Sequence, residues 1–260
     1  MGWIVETLEK ALVKTRRKRV SRDLFHKHSG VVQRGLFQGL TIDGMANISE
    51  AMLALKIFGL YEHEVVKKIG ELGPFTTAAI VGAGDGYYAL GLLKAGLAQT
   101  SICFESTEAG RDAIARNAQR NGLADRLTIL GEADSRIAEQ LMRAGFDPAQ
   151  SLILCDIEGA EFEVFTRETL ATLAKANLII ELHDKVHGND SEKRTAMIAN
   201  LPAGTRYEII RSSPPPWSGI TDLEALSDND RALVTSDGRR AIGEWLVVTP
   251  KTVSAGTNSK

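Results

Sequence analysis

A short apolar run, Ala78-Ala79-Ile80-Val81, passes straight into Gly82-Ala83-Gly84-Asp85-Gly86-Tyr87, and this junction constrains the chain more than any other stretch. Four apolar residues are too few for a helix and suit a strand buried on both faces. Glycines at positions 82, 84 and 86 let the backbone turn tightly and approach a ligand closely, because no Cβ intervenes. From Tyr87 the pattern turns helical, with Leu90, Leu93 and Leu97 spaced to face one side. Strand, glycine turn and helix is how a parallel α/β sheet builds a nucleotide pocket at its carboxyl edge, with free helix N–H groups turned toward it.

The remaining sequence fits such a sheet. Strand-like runs recur at residues 101–105, 127–130, 151–155, 178–184, 207–210 and 244–248. Helical patterns fill residues 107–121, 135–144, 161–174 and 191–200; Thr107 is placed to cap the first and Gly122 to terminate it. Repeated β-then-α units predict right-handed crossovers and an α/β, Rossmann-like, doubly wound sheet. Upstream, helices are expected over residues 3–13, 47–58 and 61–72, the last ended by Gly73-Pro74. The expected organisation is therefore a helical N-terminal extension (1–73), a nucleotide-binding domain (74–250) and a flexible tail (251–260). Residues 211–243 form a long connection. Its Pro214-Pro215-Pro216-Trp217 excludes regular helix or central strand, while residues 223–233 read as helical.

Charge and cysteine usage narrow the setting. The first 34 residues hold nine Lys or Arg against three acidic residues, a local +6 in a chain of net −2. The cluster Lys14-Thr15-Arg16-Arg17-Lys18-Arg19 has two readings, a solvated helix face or a patch for phosphates or an anionic membrane surface. Cys103 and Cys155 fall in strands expected on opposite sides of the first, about 9.6 Å apart, too far for a disulfide. No apolar run reaches the ~20 residues needed to cross a bilayer, and no signal-peptide layout opens the sequence. A cytoplasmic location is expected.

Carboxylates supply the candidate chemistry. Glu105 ends the second strand, nineteen residues past Gly86, where a carboxylate can accept both ribose hydroxyls of a nucleoside. Asp134, just after the third strand, is placed to accept from an adenine amino group or to cap a helix. Asp156-Ile157-Glu158-Gly159-Ala160-Glu161 follows the fourth strand, and Glu181-Leu182-His183 closes the fifth. If those strands adjoin, Asp156, Glu158 and His183 converge on the nucleotide crevice. His183 is then the first choice of general base, titrating near neutral pH. A divalent cation held by the same three residues is the less favoured alternative.

The spacing Gly82-x-Gly84-x-Gly86 departs from the dinucleotide pattern and resembles motif I of class I S-adenosylmethionine-dependent methyltransferases. With Phe58-Gly59-Leu60-Tyr61-Glu62, Asp156 to Glu161 and Glu181-Leu182-His183, residues 55–185 closely resemble the FkbM-type branch of that class. The resemblance implies a seven-stranded mixed sheet in the order 3-2-1-4-5-7-6. It also implies S-adenosylmethionine as cofactor and O-methylation of a hydroxyl on a small molecule or saccharide, with no nucleic acid as partner. By the same resemblance Gly82, Gly84 and Gly86 line the methionine end, Glu105 holds the ribose and Asp134 the adenine; Ala83 is counted with the cofactor-binding turn, and Asp156, at the mouth of the fourth strand, is placed to position the substrate or the cofactor amine. Ile80 departs from the family, many members of which carry an acid there. Two alternatives stay open: an NAD(P)-dependent oxidoreductase, and a partner-binding protein that keeps the pocket without catalysis. The sequence also leaves room for a homo-oligomer.

Overall fold

The computed structural model describes residues 2–43, 50–184, 191–239 and 241–250. A long helix, α1 (Gly2–Lys27), opens the chain. Two shorter ones follow, α2 (Leu53–Ile57) and α3 (His63–Leu72), before β1 (Phe75–Val81). Strand and helix then alternate through α4 (Tyr87–Lys94), β2 (Ala98–Phe104), α5 (Glu108–Asn121), β3 (Leu127–Leu130), α6 (Ile137–Arg143) and β4 (Leu152–Cys155). The chain continues through α7 (Glu161–Val164), α8 (Arg167–Thr172), β5 (Asn177–Glu181), α9 (Ser191–Ala199) and β6 (Arg206–Arg211). It closes with α10 (Thr221–Glu224), α11 (Asp228–Thr235) and β7 (Glu244–Thr249).

The seven strands form one sheet in the order β3-β2-β1-β4-β5-β7-β6, as the resemblance implied. The first five pair in parallel, and β7 runs antiparallel to both β5 and β6. β1 lies inside the sheet between β2 and β4 and is buried on both faces except at Thr76. Alternate residues feed two apolar layers: Ala78 and Ile80 enter one, Ala79 and Val81 the other. The first layer also takes Val20, Leu24, Phe25, Phe37 and Leu40, so the N-terminal segment packs on the same face of the sheet as α4. Cys103 and Cys155 are free and buried, one on each strand flanking β1.

Local chemistry explains where elements begin and end. Thr107 caps α5 by accepting from the Gly110 N–H at 3.1 Å, and Gly122 ends it at φ +66°. The helix expected over 161–174 is divided, because Thr166 turns extended and its hydroxyl caps a new helix through the Thr169 N–H. Ser227 does the same to residues 223–233, where its side chain accepts from Asp230 N–H and starts α11. The helix expected to end at residue 13 runs on to Lys27, since no Gly or Pro interrupts it. Of the helix expected over 47–58, residues 47–49 lie outside the described residues, as do residues 251–260 of the tail. A 3-10 turn covers Glu50–Met52 ahead of α2.

Candidate functional site

The turn after β1 is shaped by three glycines at φ +83°, +58° and +82°. Gly82 is the tightest: a Cβ there would stand 1.8 Å from the Asp156 carbonyl oxygen, where the ends of β1 and β4 close together. Gly82 and Ala83 donate their N–H groups to the Phe104 carbonyl at 3.0 and 2.9 Å, tying the turn to β2. Gly84 is different, because a Cβ there meets nothing within 4 Å. Its N–H donates to Glu105 Oε2 at 2.9 Å, and Thr107 N–H and Oγ1 donate to Oε1 at 2.9 and 2.6 Å. Gly110 leaves room for this carboxylate, since a Cβ there would lie 2.7 Å from its Oε1 and displace the side chain.

A cavity of ≈ 140 Å³ opens beside this turn, walled by the loop itself, by Tyr87 and Tyr88 of α4, by Asp156, and by Lys56, Tyr61 and Glu62 from the N-terminal segment. Lys56 Nζ donates to both Asp85 oxygens at 3.0 and 2.9 Å, with the two side chains 6% and 2% exposed. The ammonium also stands 5.2 Å from the ring centres of Tyr61 and Tyr87. Asp85 in turn accepts from the Tyr87 N–H at 3.1 Å, fixing the first turn of α4.

Behind Asp156 lies a dense ionic cluster. His183, 7% exposed, places Nε2 3.7 Å from Asp156 Oδ1, 3.7 Å from Glu158 Oε2 and 3.6 Å from Glu181 Oε1; Nδ1 faces Glu161 at 3.3 Å. Burial pulls the imidazole down, but Glu161 and Glu181 outweigh it and raise it to about 9. Burial, with Glu181 close by, raises Asp156 to about 7. Asp156 Oδ1 is itself buried with no hydrogen-bond partner among the described residues. Arg239 bridges the cluster to the N-terminal segment, with Nη1 on Glu181 and Nη2 on Glu62 Oε1 at 2.6 Å.

A second cavity of ≈ 1020 Å³ adjoins the first, with Glu62 and Trp245 in both walls. Its other side is the long connection: Pro214, Pro215 and Trp217, then Arg231 and Arg239. Arg231 lies over the Trp217 ring at 4.8 Å and Arg239 over Trp245 at 5.1 Å.

The structure brings the expected residues together unequally. Gly82, Ala83, Gly84 and Asp156 are on the wall of the small cavity; Gly86 lies behind the loop as the residue preceding α4. Glu105 reaches the loop through Gly84 without lining either cavity, and neither wall includes His183 or Glu158. Asp134 stands apart, paired with Arg136 at 2.7 Å; that hydrogen bond holds its carboxyl below the usual range. Asp156, Glu158 and His183 do offer ligand atoms within 4.8 Å of one another, as do Glu62, Asp156 and Glu181. The surrounding carboxylates raise the imidazole to about 9, so a metal ion there would have to displace its proton. Three residues escaped the sequence reading. Lys56 was detectable as one charge inside the apolar run Met52-Leu53-Ala54-Leu55-Lys56-Ile57-Phe58. Glu62 was visible only within a motif, and Arg239 carried no local signal.

No family model matches the chain, and no curated protein matches it in sequence. Among solved structures it is similar to an O-methyltransferase from Bacillus cereus in complex with SAH, at 11% identity over 74% of this chain and 80% of that one, TM-score 0.49. It is also similar to a ribosomal protein L11 methylase from Lactobacillus delbrueckii (16%, 82% and 85%, TM-score 0.45). A third is the m1A22 tRNA methyltransferase of B. subtilis (12%, 71% and 64%, TM-score 0.45). All three scores fall below 0.5, so the fold rests on the strand order itself. No helix of the described residues is long and apolar enough to cross a membrane.

Proposed function

We propose that the chain is an S-adenosylmethionine-dependent methyltransferase of the FkbM type, acting on a hydroxyl of a small molecule or saccharide. The observation that carries this reading is the mixed charge around the glycine turn. Lys56 with Asp85, and Glu62 with Asp156, place one cation and three carboxylates on one small cavity wall among three tyrosines. A dinucleotide would bring its pyrophosphate against those carboxylates, at a cost in repulsion and desolvation. An amino-acid zwitterion beside a sulfonium finds an opposite charge on this wall for each of its groups. In this reading Gly82, Ala83 and Gly84 approach the methionine moiety, Glu105 accepts from the ribose, and Asp134 exchanges Arg136 for the adenine. The division near residue 73 stays part of the proposal, with the extension supplying Lys56, Tyr61 and Glu62 to complete the pocket.

The bound cofactor supplies an activated methyl group, so the chain's task is alignment and removal of the hydroxyl proton. Asp156, on the wall and raised to about 7, is suited to accept that proton near neutral pH. His183 already carries a proton at that pH; its charge steadies Asp156, and Glu158 completes its surroundings. This moves the role of base from His183 to its neighbour. A small-molecule acceptor is favoured over nucleic acid because three of the five cations of the basic N-terminal cluster are engaged internally: Arg16 binds Asp230, Lys18 binds Glu50, and Arg17 donates to the Ser236 carbonyl.

Calorimetry with S-adenosylmethionine and with NADH tests the reading. Binding of the first and not the second is expected; NADH binding alone would make the chain an oxidoreductase. Transfer of labelled methyl to RNA, and not to mono- or oligosaccharides, would replace the acceptor class.

A further inference from the structure

Glu62 occupies the place where the two cavities meet. It precedes α3 and holds a left-handed backbone at φ +43°, a conformation unfavourable for a non-glycine residue. Such strain in a buried residue points to a requirement on where its side chain goes. That side chain is 6% exposed: Oε2 accepts from the Tyr88 hydroxyl at 2.6 Å, Oε1 from Arg239 at 2.6 Å, and Tyr61 adds a further side-chain hydrogen bond. A carboxylate has about four acceptor positions, so one stays free to face the cavities. Tyr61, Tyr87 and Tyr88 flank the same wall, with ring centres 5.7 to 6.2 Å apart. Lys56 takes one face of Tyr61 and one of Tyr87; the remaining ring surface and the Glu62 carboxylate can receive an organic cation.

We propose that Glu62 is a specificity-determining residue that selects the methyl-bearing, cationic cofactor over its neutral demethylated product, at the opening through which the methyl group leaves. The inference rests on the methyltransferase reading above. In the transfer the methyl–sulfur bond breaks, its electron pair stays on sulfur, the methyl–oxygen bond forms, and the hydroxyl proton passes to the base. The sulfonium thereby becomes a neutral thioether. Glu62 is then left with Arg239 alone as counter-charge, in a buried setting where Asp156 and Glu181 repel it, and the product is released in favour of fresh cofactor.

The test is calorimetry on the full chain with three probes: S-adenosylmethionine, S-adenosylhomocysteine and sinefungin, which carries an ammonium where the sulfonium methyl stands. Wild-type protein is expected to bind both cations at least about tenfold more tightly than the homocysteine compound. Glu62→Gln keeps the shape and removes the charge; it should lower affinity for the two cations about tenfold and change that for S-adenosylhomocysteine less than about twofold. Equal losses for all three would assign Glu62 a structural role and overturn the inference, as would no loss. The wild-type preference needs no variant, so a Glu62→Gln protein that fails to fold does not rescue the idea: wild-type binding of the neutral compound as tightly as the cations overturns it alone. Wild-type protein that binds none of the three overturns the methyltransferase reading, and this inference with it.

Discussion

The two cavities that meet at Glu62 are built by different means. The small one is made around a single local stretch, Ile80 to Tyr88, whose backbone closes onto β2 and β4. The large one is assembled from residues far apart in sequence: the turn before α3, the connection after β6, and β7. In the first, position is enforced by backbone and by glycines that admit no Cβ. In the second it depends on side-chain ion pairs and on rings stacked under guanidinium groups. A pocket for a common cofactor can thus be rigid, while the surface that meets a particular acceptor is held by replaceable side-chain contacts.

The largest expected effect breaks the rigid cavity. Gly82→Val would drive its Cβ into the Asp156 carbonyl, at a backbone angle that β-branched residues avoid. A loss above about 4 kcal/mol of stability is expected, seen as an absent thermal transition or no soluble protein. Gly84→Ala is the contrast: its Cβ meets nothing, so only the left-handed backbone cost of about 1–2 kcal/mol applies. Equal damage from both substitutions would contradict the view that close approach, more than turn shape, fixes this loop.

That contrast also marks what the sequence made legible. The strand, the glycine turn and the capping of α5 follow from adjacent residues, so pattern alone located them. The alternation of strands after residue 74 gave the fold class, but the order of seven strands came from family resemblance; periodicity cannot choose a neighbour for β7. In the site, Gly82 and Asp156 were found because strand ends carry them to the carboxyl edge. His183 stands beside Asp156 and Glu158 as expected, but the carboxylates that raise its pKa arrive from β4, β5 and α7, beyond any local pattern. Lys56 and Arg239 act through contacts 29 and 177 positions away, with Asp85 and Glu62, and no window of sequence contains both partners.

A middle-sized effect addresses the ionic cluster between the cavities. His183 is raised from its ordinary 6.5 to about 9, so its contribution to stability is fully present below pH 6.5 and disappears as pH rises through 9. Asp156, raised to about 7, prefers to be protonated in the fold, so its ionisation lowers stability from pH 4 toward 7. Both act in the same direction. Melting temperature should fall by several degrees between pH 6 and 9.5, and His183→Ala should flatten the part above 6.5. A melting temperature that rises over this interval would mean that the imidazole is not held charged.

The smallest effect sharpens the description of the large cavity. Arg16 of α1 forms a two-point contact with Asp230 of α11, Nε to Oδ1 at 2.7 Å and Nη2 to Oδ2 at 2.6 Å, with the arginine side chain 45% exposed. His28 and Lys27 similarly hold Asp222 of α10. The basic helix thus clasps the segment that carries Asp228, Arg231 and Thr235 into the cavity wall. An exposed pair contributes about 0–1 kcal/mol, so Arg16→Ala should scarcely move the global melting temperature. Its effect should be local. Hydrogen exchange at the amides of residues 228–235 should quicken about three- to fivefold, a similar quickening should appear in wild-type protein at 1 M salt, and the amides of β1 should be unchanged. Exchange that stays the same in α11 would show that apolar packing, with Val234 buried beneath, holds this wall and that the ion pairs merely decorate it.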